Sequence, residues 1–281
     1  MSGVTPETSG PSRQAAHNLS EWSAGKYVDA YANRVLSPVE VQIFVRYRDA
    51  LSGRVLDLGC GAGRVLAYLV MLGADAYGVD LAPKMVDYCR RTIPGAKVVV
   101  GDIGALNAAV TGPFDAILAP DNLIDVFDDA ERRRVLAGIR ELLAPPGLLI
   151  FSSHDLGWAE ANPGPREWEA PSGSAKLRKL VERSPADMAR SVGRRRRSAA
   201  NRKRLGPLEE RHDSYAILND FPHDYSLLHY YIRRDDQERQ LQELGYELIE
   251  CLDGRGARVE PGGHGPSDHY ADNLHYVARP A

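Results

Sequence analysis

The stretch Val55–Arg64 constrains the fold of this 281-residue chain more than any other feature. Residues 54–58 form a short run of mostly apolar residues that is typical of a buried strand. Three glycines follow at alternate positions: Gly59, Gly61 and Gly63. An apolar-periodic run over 65–71 then predicts a helix. Because glycines allow a sharp turn and the helix N-terminus offers unpaired N–H groups, the stretch predicts a strand–loop–helix unit that binds a ligand at its loop.

Two common nucleotide-binding motifs do not fit this loop. A dinucleotide-binding loop requires a glycine at position 64, where this chain has Arg64. A phosphate-binding loop ends in Gly-Lys-Ser/Thr, which is absent here. The spacing is instead Asp-x-Gly-x-Gly-x-Gly, in which Asp57 precedes the first glycine. The loop is therefore of a different class from both motifs.

This pattern resembles motif I of class I S-adenosylmethionine (SAM)-dependent methyltransferases, of the bacterial small-molecule type. The acids that follow agree with the resemblance. A second predicted strand ends at Asp80 and continues into Leu81-Ala82-Pro83-Lys84-Met85, and a third ends at Gly101-Asp102-Ile103. The resemblance implies SAM as cofactor and S-adenosyl-L-homocysteine as product.

The same resemblance implies a role for each motif. The glycine loop lines the methionine part of SAM, with Asp57 near its amino group. Asp80 holds the ribose hydroxyls, and residues 101–103 lie against adenine. The cofactor-binding residues implied in the core are Asp57, Gly59, Cys60, Gly61, Gly63, Asp80, Leu81, Met85, Gly101, Asp102, Ile103 and Asn122.

Composition excludes several other classes of protein. A net charge of −3 and a pI near 6.3 provide no overall attraction to nucleic acid or anionic membranes. The three cysteines, Cys60, Cys89 and Cys251, are too few and too scattered for a disulfide framework. There is no apolar run of membrane-spanning length and no signal-peptide core, so we expect a soluble, cytoplasmic protein.

Strands alternate with helices along most of the chain, which indicates a parallel sheet. We expect an α/β fold: a Rossmann-like, doubly wound, mostly parallel seven-stranded sheet with an antiparallel last strand and a helical cap insertion. The predicted regions are a disordered tail at 1–16, N-terminal helices over the cofactor pocket at 17–50, the SAM-binding core at 51–156, the cap insertion at 157–223, and the C-terminal part of the core at 224–281.

Catalytic candidates follow the fourth and fifth predicted strands, because ligands of such sheets bind outside the carboxyl ends of the strands. Asp121 and Asp125 follow the fourth strand, where they would contact SAM or orient a nucleophile; capping of the next helix is the alternative for Asp125. His154 follows the fifth strand, predicted to end at Phe151, and is a candidate general base. The alternative for His154 is a structural histidine with satisfied hydrogen bonds.

Substrate-binding candidates lie in two places. Asp155 follows His154, and His223, Tyr225 and His229 lie on or just before a strand predicted over 224–232. On the N-terminal helices, Tyr27 and Tyr31 are candidates for contact with the sulfonium, with ordinary packing as the alternative. The histidines near the C-terminus have no regular metal-ligand spacing, so no metal site is predicted.

The function predicted from these residues is methyl transfer from SAM to a nitrogen or oxygen of a small-molecule metabolite, in secondary metabolism, by in-line displacement. A basic run at 194–197 leaves open an RNA or protein methyltransferase that docks its substrate there. A second alternative is a protein that binds SAM for another use. The expected partner is a small-molecule substrate, not nucleic acid or a membrane, and a homodimer is left open.

Overall fold

The structure is a computed structural model that describes residues 34–162, 185–220, 222–266 and 273–281. The tail predicted at 1–16, together with Tyr27 and Tyr31, lies outside these ranges. Within them, no helix combines the length and the apolar character needed to cross a membrane.

The described chain alternates between strands and helices as the pattern predicts. The strands are β1 (Arg54–Leu58), β2 (Asp75–Asp80), β3 (Lys97–Val100), β4 (Phe114–Ala119), β5 (Leu143–Asp155), β6 (Glu210–Arg211), β7 (Tyr215–Asn219), β8 (Leu228–Ile232), β9 (Tyr246–Leu252) and β10 (Asn273–Pro280). The helices are α1 (Pro38–Arg46), α2 (Arg48–Leu51), α3 (Arg64–Met71), α4 (Pro83–Thr92), α5 (Leu106–Ala109), α6 (Asp129–Leu142), α7 (Leu156–Ala161), α8 (Pro185–Leu205), α9 (Pro222–Tyr225) and α10 (Arg234–Glu243). Short 3₁₀ turns lie at Ile103–Ala105, Leu123–Val126 and Gly206–Leu208.

The strands form one sheet in the order β3-β2-β1-β4-β5-β8-β7-β6, with β10 pairing β5 and β9. β1 to β5 are mutually parallel, whereas β10 is antiparallel to both of its neighbours. The predicted Rossmann-like α/β fold with an antiparallel last strand is therefore confirmed. The sheet has ten strands instead of the predicted seven, because β6, β7 and β8 extend it. β6 and β7 lie in the stretch predicted as a helical insertion.

Both faces of the sheet are covered, because neighbouring residues of a strand point to opposite sides. In β1, Leu56 joins a buried cluster that includes α6 residues, whereas Val55 joins a second cluster with residues of α1, α3 and α4. Tyr276 and Val277 of β10 divide between the two clusters in the same way. Two apolar cores thus fix the doubly wound arrangement.

β5 extends further than the sequence pattern predicts, and this places β8 at the site. It continues through residues 152–155, which the pattern had placed after the strand. β4 pairs with β5 only as far as Phe151, while β10 occupies the other edge of β5 up to His154. Since a strand has two edges, β8 pairs with His154 and Asp155 on the edge that β4 leaves free. β8 therefore lies beyond the carboxyl end of β4.

The strand predicted over 224–232 begins later, at Leu228. The side-chain amide of Asn219 donates to the carbonyls of Tyr225 and Leu227, which holds the chain in a turn before β8. Asp224 and Tyr225 have positive φ angles of 58° and 60° in this turn. Tyr225 is therefore not on the face of a strand with His229, contrary to the predicted alternation.

Candidate active site

The glycine loop begins directly after β1 and ends at the first turn of α3. Gly61 has a φ of +53°, and a Cβ built there would meet only the Gly59 carbonyl oxygen, at 3.9 Å, among the described atoms. Gly63 has a φ of +82°, and its Cβ would meet the Cys89 Sγ at 2.9 Å. Gly61 therefore leaves space on the open side of the loop, and Gly63 packs against α4.

Asp80, at the end of β2, holds this loop through hydrogen bonds. Its carboxylate accepts the backbone N–H of Gly61 and of Ala82, each at 2.8 Å. Burial raises the pKa of Asp80, and these two hydrogen bonds oppose the rise. Each carboxylate oxygen retains acceptor capacity for a hydroxyl group, because an ionised carboxylate has about four acceptor sites.

Asp57 is a buried carboxyl group near the end of β1, next to the glycine loop. It is 1% exposed, and neither of its oxygens has a hydrogen-bond partner among the residues that the structure describes. Burial raises the pKa of Asp57 well above its ordinary value, although the charge of Arg64 opposes the rise. An ionised carboxylate in this position is costly unless a cationic or hydrogen-bonding ligand reaches it.

These residues surround one cavity at the carboxyl ends of β1, β2 and β4. Of the described residues predicted to bind cofactor, Gly63 alone is not in its wall. Those that line it are Asp57, Gly59, Cys60, Gly61, Asp80, Leu81, Met85, Gly101, Asp102, Ile103 and Asn122. Asp121 and His229 also line it, so the sheet brings together residues from distant parts of the sequence.

Arg64 has a role in this cavity wall that the sequence reasoning missed. The pattern noted it only as the residue that stands in place of a glycine. Its guanidinium donates to Glu40 of α1 at 2.6 Å and to Asp121 at 3.0 Å. Burial would raise the pKa of Glu40, but the interactions with Arg64 and Ser37 outweigh it and lower the pKa. Arg64 thus joins α1 and the loop after β4 to the glycine loop.

The loop after β4 is held in an unusual backbone conformation. Asp121 and Asn122 have φ angles of 54° and 56°, a region that side chains other than glycine seldom adopt. Hydrogen bonds compensate: the Asn122 backbone N–H donates to Ser152 at 2.8 Å, and its side-chain amide donates to Asn273 at 2.7 Å. The Oδ1 of Asn122 is buried with no partner within the described ranges, which leaves an acceptor in the cavity wall.

Asp125 lies beneath this loop and does not line the cavity. It forms a fully buried ion pair with Arg132 of α6 and accepts a hydrogen bond from the Ser153 hydroxyl at 2.8 Å. Burial alone would raise the pKa of Asp125, but Arg132 and His154 outweigh it and lower the pKa. The cap of α6 is Asp128, which accepts from the Glu131 N–H.

His154 is enclosed behind the cavity wall. Its Nδ1 lies 2.7 Å from Asp125 Oδ2, and its Nε2 lies 3.1 Å from the Asn122 amide nitrogen. The residue is 4% exposed and is not among the residues that line the cavity. A catalytic role for His154 stays a prediction, and in this structure the ring is held by its neighbours.

His229 of β8 is the histidine that reaches the cavity. Its Nδ1 lies 2.9 Å from both carboxylate oxygens of Asp220, which follows β7. Asp220 also accepts a hydrogen bond from the Tyr231 hydroxyl at 2.7 Å. Burial would raise the pKa of Asp220, but the neighbouring histidines and Tyr231 lower it to about 2. Sequence reasoning missed Asp220, because no spacing relates it to His229.

The other substrate-binding candidates lie elsewhere. Asp155 accepts the backbone N–H of Gly157 at 2.9 Å and of Gly265 at 2.7 Å, so it caps α7 and anchors a distant loop. Tyr225 is buried beneath the guanidinium of Arg202, 5.1 Å from its ring centroid. Neither lines the cavity, and the side chain of His223 is outside what the structure describes.

Comparison with known proteins agrees with this fold. Residues 55–147 match a family model described as "Methyltransferase domain". A ubiquinone biosynthesis O-methyltransferase of Xanthomonas oryzae pv. oryzae (strain PXO99A) is 34% identical over 122 residues, which cover 42% of this chain and 50% of that protein. The chain thus spans about half the length of the curated relatives that it matches.

Two solved structures share the fold over nearly the whole chain. The CcbJ methyltransferase of Streptomyces caelestis aligns with a TM-score of 0.57 and 16% identity, over 92% of this chain and 98% of that chain. The 1,6-didemethyltoxoflavin-N1-methyltransferase of Burkholderia thailandensis, solved with 1,6-didemethyltoxoflavin and S-adenosylhomocysteine, aligns with a TM-score of 0.55 and 17% identity, over 99% and 93%.

These findings define the class of the fold, which is that of the class I SAM-dependent methyltransferases. Residues 55–147 are the part of the chain that matches the methyltransferase family model. The resemblance noted in the glycine motif is confirmed, and the expectation of SAM as the cofactor agrees with the neighbours that share this fold.

Proposed function

We propose that the cavity binds SAM and that the protein transfers its methyl group to a nitrogen or oxygen of a small-molecule metabolite. The observation that carries the proposal is the pair of acids at the ends of β1 and β2. Asp57 provides a buried carboxylate with no hydrogen-bond partner among the described residues, which would bind the amino group of the methionine part, and Asp80 provides acceptors for the ribose hydroxyls.

The remaining wall fits the same ligand. The open side of Gly61 allows the backbone to approach the ligand closely, because no described side chain fills the space in front of it. Gly101 and Ile103 provide a small apolar surface for the adenine ring. Arg64, also in the wall, holds Asp121 at the cavity through its hydrogen bond.

The acceptor would enter at the side of the cavity formed by Asn122, Phe127 and His229. The Oδ1 of Asn122, which has no partner in the described part of the chain, would accept a hydrogen bond from an N–H or O–H group of the methyl acceptor. SAM supplies a methyl group on a sulfonium, which is a good leaving group. This chain would then have to hold the acceptor in line with the methyl group and exclude water. Positioning of this kind lowers activation barriers by several kcal/mol, up to about 7–11 kcal/mol in favourable cases.

An acceptor from secondary metabolism is part of the proposal, and the small-molecule ligand of the Burkholderia neighbour supports it. The basic run at 194–197 supports an RNA substrate less well than the cavity supports a small-molecule substrate. Arg194 and Arg197 donate to the carboxylate of Asp224, which neutralises part of the positive charge on α8.

The cofactor assignment is tested by calorimetric titration of SAM into Asp80→Ala. The variant loses the ribose acceptor and both loop hydrogen bonds, so we expect the Kd to rise about 10- to 100-fold, since hydrogen bonds to a charged group contribute about 1.5–3 kcal/mol. Asp75→Ala is the matched control: Asp75 begins the same strand but is paired with Lys97 at the exposed end. Unchanged affinity in Asp80→Ala would overturn the assignment.

A further inference from the structure

Three buried side chains behind the cavity converge from three separate parts of the sheet. His154 of β5, Asp220 after β7 and His229 of β8 are 4%, 6% and 6% exposed. One nitrogen or oxygen atom from each lies within 4.8 Å of the other two. Among the described His, Cys, Asp and Glu residues, this His–Asp–His cluster alone meets such distances.

The separations within the cluster suit a small cation. Asp220 Oδ2 lies 3.6 Å from His154 Nε2 and 2.9 Å from His229 Nδ1. Ligand atoms at about 2.0–2.1 Å from a tetrahedral Zn²⁺ are about 3.3 Å from one another. The two observed separations lie on either side of that value, so small side-chain shifts would enclose the ion.

The residues around the cluster form hydrogen bonds that hold its side chains, as is usual for metal ligands. Asp125 lies 2.7 Å from Nδ1 of His154, and since a carboxylate only accepts, Nδ1 carries the proton and Nε2, 3.6 Å from Asp220 Oδ2, keeps its lone pair. A carboxylate behind a metal-binding histidine is a recurrent arrangement in metal sites. The Tyr231 hydroxyl in turn fixes Asp220.

Charge balance also favours a cation. The buried Asp125 is neutralised by Arg132. Asp220 forms no ion pair with Lys or Arg in the described part of the chain, and the groups that contact it are His154, His229 and Tyr231. A divalent cation among these groups would compensate the buried carboxylate charge of Asp220.

We propose that the His–Asp–His cluster binds one divalent first-row transition-metal ion of the Zn²⁺ class. Two imidazoles and one carboxylate are a ligand set that such ions bind with a coordination position left open. Because His229 also lines the cavity, we expect the open position to face the acceptor side, where water or an acceptor oxygen or nitrogen completes the shell. The site goes beyond the proposed methyl transfer, and its existence does not depend on it.

Two existing contacts must give way when the ion binds, and one is the hydrogen bond from His229 Nδ1 to Asp220, whose proton the ion would replace. The Asn122 amide lies 3.1 Å from His154 Nε2, and that lone pair would turn to the metal. The amide keeps its hydrogen bond to Asn273. The competing account is a proton shared between the imidazoles and Asp220, with no metal.

The test is the metal content of the untagged full-length protein after dialysis against buffer with Zn²⁺ and then without it. We expect about one Zn²⁺ per chain in the wild type. Asp220→Asn, which keeps the shape of the side chain, should lose at least 100-fold in affinity for Zn²⁺, because it removes a charged ligand. His212→Asn is the control, because His212 is an exposed histidine that pairs with Glu210.

Cobalt substitution gives a readout that does not depend on any variant. Four-coordinate Co²⁺, bound by the two imidazole nitrogens, the carboxylate oxygen and one water, has strong visible absorption, whereas hydrated Co²⁺ does not. Tyr231→Phe should weaken metal affinity about 10-fold by freeing Asp220. Tyr230→Phe is the matched control, because the hydroxyl of this neighbour donates to Asp129 instead.

Wild-type protein that retains no metal and shows no saturable binding of Zn²⁺ or Co²⁺ would overturn the proposal and favour the shared proton. Calorimetry of SAM on the same preparation separates the two proposals. A protein that binds SAM without metal refutes the cation site alone, and one that binds metal without SAM refutes the cofactor assignment alone.

Discussion

Asp57 is a carboxyl group whose ionised form is costly in the folded protein. Its carboxyl group is buried and has no hydrogen-bond partner among the described residues, and its pKa is raised well above the ordinary value of 3.8. A group whose pKa is raised on folding destabilises the protein above that pKa, and protonation removes the penalty as the pH falls. In the proposed function, the amino group of SAM compensates the charge.

We therefore expect Asp57→Asn to stabilise the ligand-free protein at neutral pH by about 1–3 kcal/mol and to weaken SAM binding. The gain should shrink as the pH falls through the raised pKa of Asp57 toward 3.8. Chemical denaturation over a pH series measures it, with the exposed Asp87→Asn as control. A variant less stable than the wild type at pH 7 would show that Asp57 has a stabilising partner.

At the scale of elements, one arginine joins four parts of the fold. Arg132 of α6 is fully buried, and its guanidinium contacts Asp125, Ser153 of β5, and Gln237 and Gln240 of α10. This network holds the loop after β4 against β5, and that loop presents Asn122 to the cavity.

Arg132→Met removes the counter-ion of a fully buried carboxylate, so we expect a loss of about 3–5 kcal/mol in the free energy of unfolding. Arg133→Met is the control from the same helix. Arg133 is 37% exposed and pairs with Asp129 and Glu243, so its loss should cost less than about 1 kcal/mol. Equal losses of unfolding free energy for the two variants in urea denaturation would show that the buried network stabilises the protein no more than a surface ion pair does.

Elements defined by local pattern were predictable from the sequence. The apolar runs predicted a strand over 54–58 and a helix over 65–71; β1 has those bounds, and α3 begins one residue earlier. Locally repeated signals suffice there, since apolar spacing and the flanking turn residues decide both elements. The acids of the cavity were predictable from the motifs that carry the resemblance: Asp57 lies one residue before the end of β1, and Asp80 ends β2.

The cluster behind the cavity could not be predicted in the same way. His154, Asp220 and His229 meet only because β5 continues past the end of β4 and β8 pairs with the added residues. That pairing depends on long-range register, and the stretch before β8 has no regular apolar pattern. The same cause explains why the sheet has more strands than predicted.

At the scale of the whole molecule, both apolar cores and the added strands serve to bring two sets of groups to one cavity. The first half of the sheet supplies the residues proposed to hold SAM, and the segment after β4 together with β8 supplies the proposed acceptor side. Methyl transfer requires both sets, whereas SAM binding alone requires only the first.

The most direct test of this account is incubation of the full-length protein with SAM labelled in its methyl group, together with a panel of small amines, phenols and acids. Mass spectrometry then follows the label. We predict that the label moves to a nitrogen or oxygen of one acceptor while unlabelled S-adenosylhomocysteine accumulates. Label that remains on methylthioadenosine, or on SAM with every acceptor in the panel, would contradict the account.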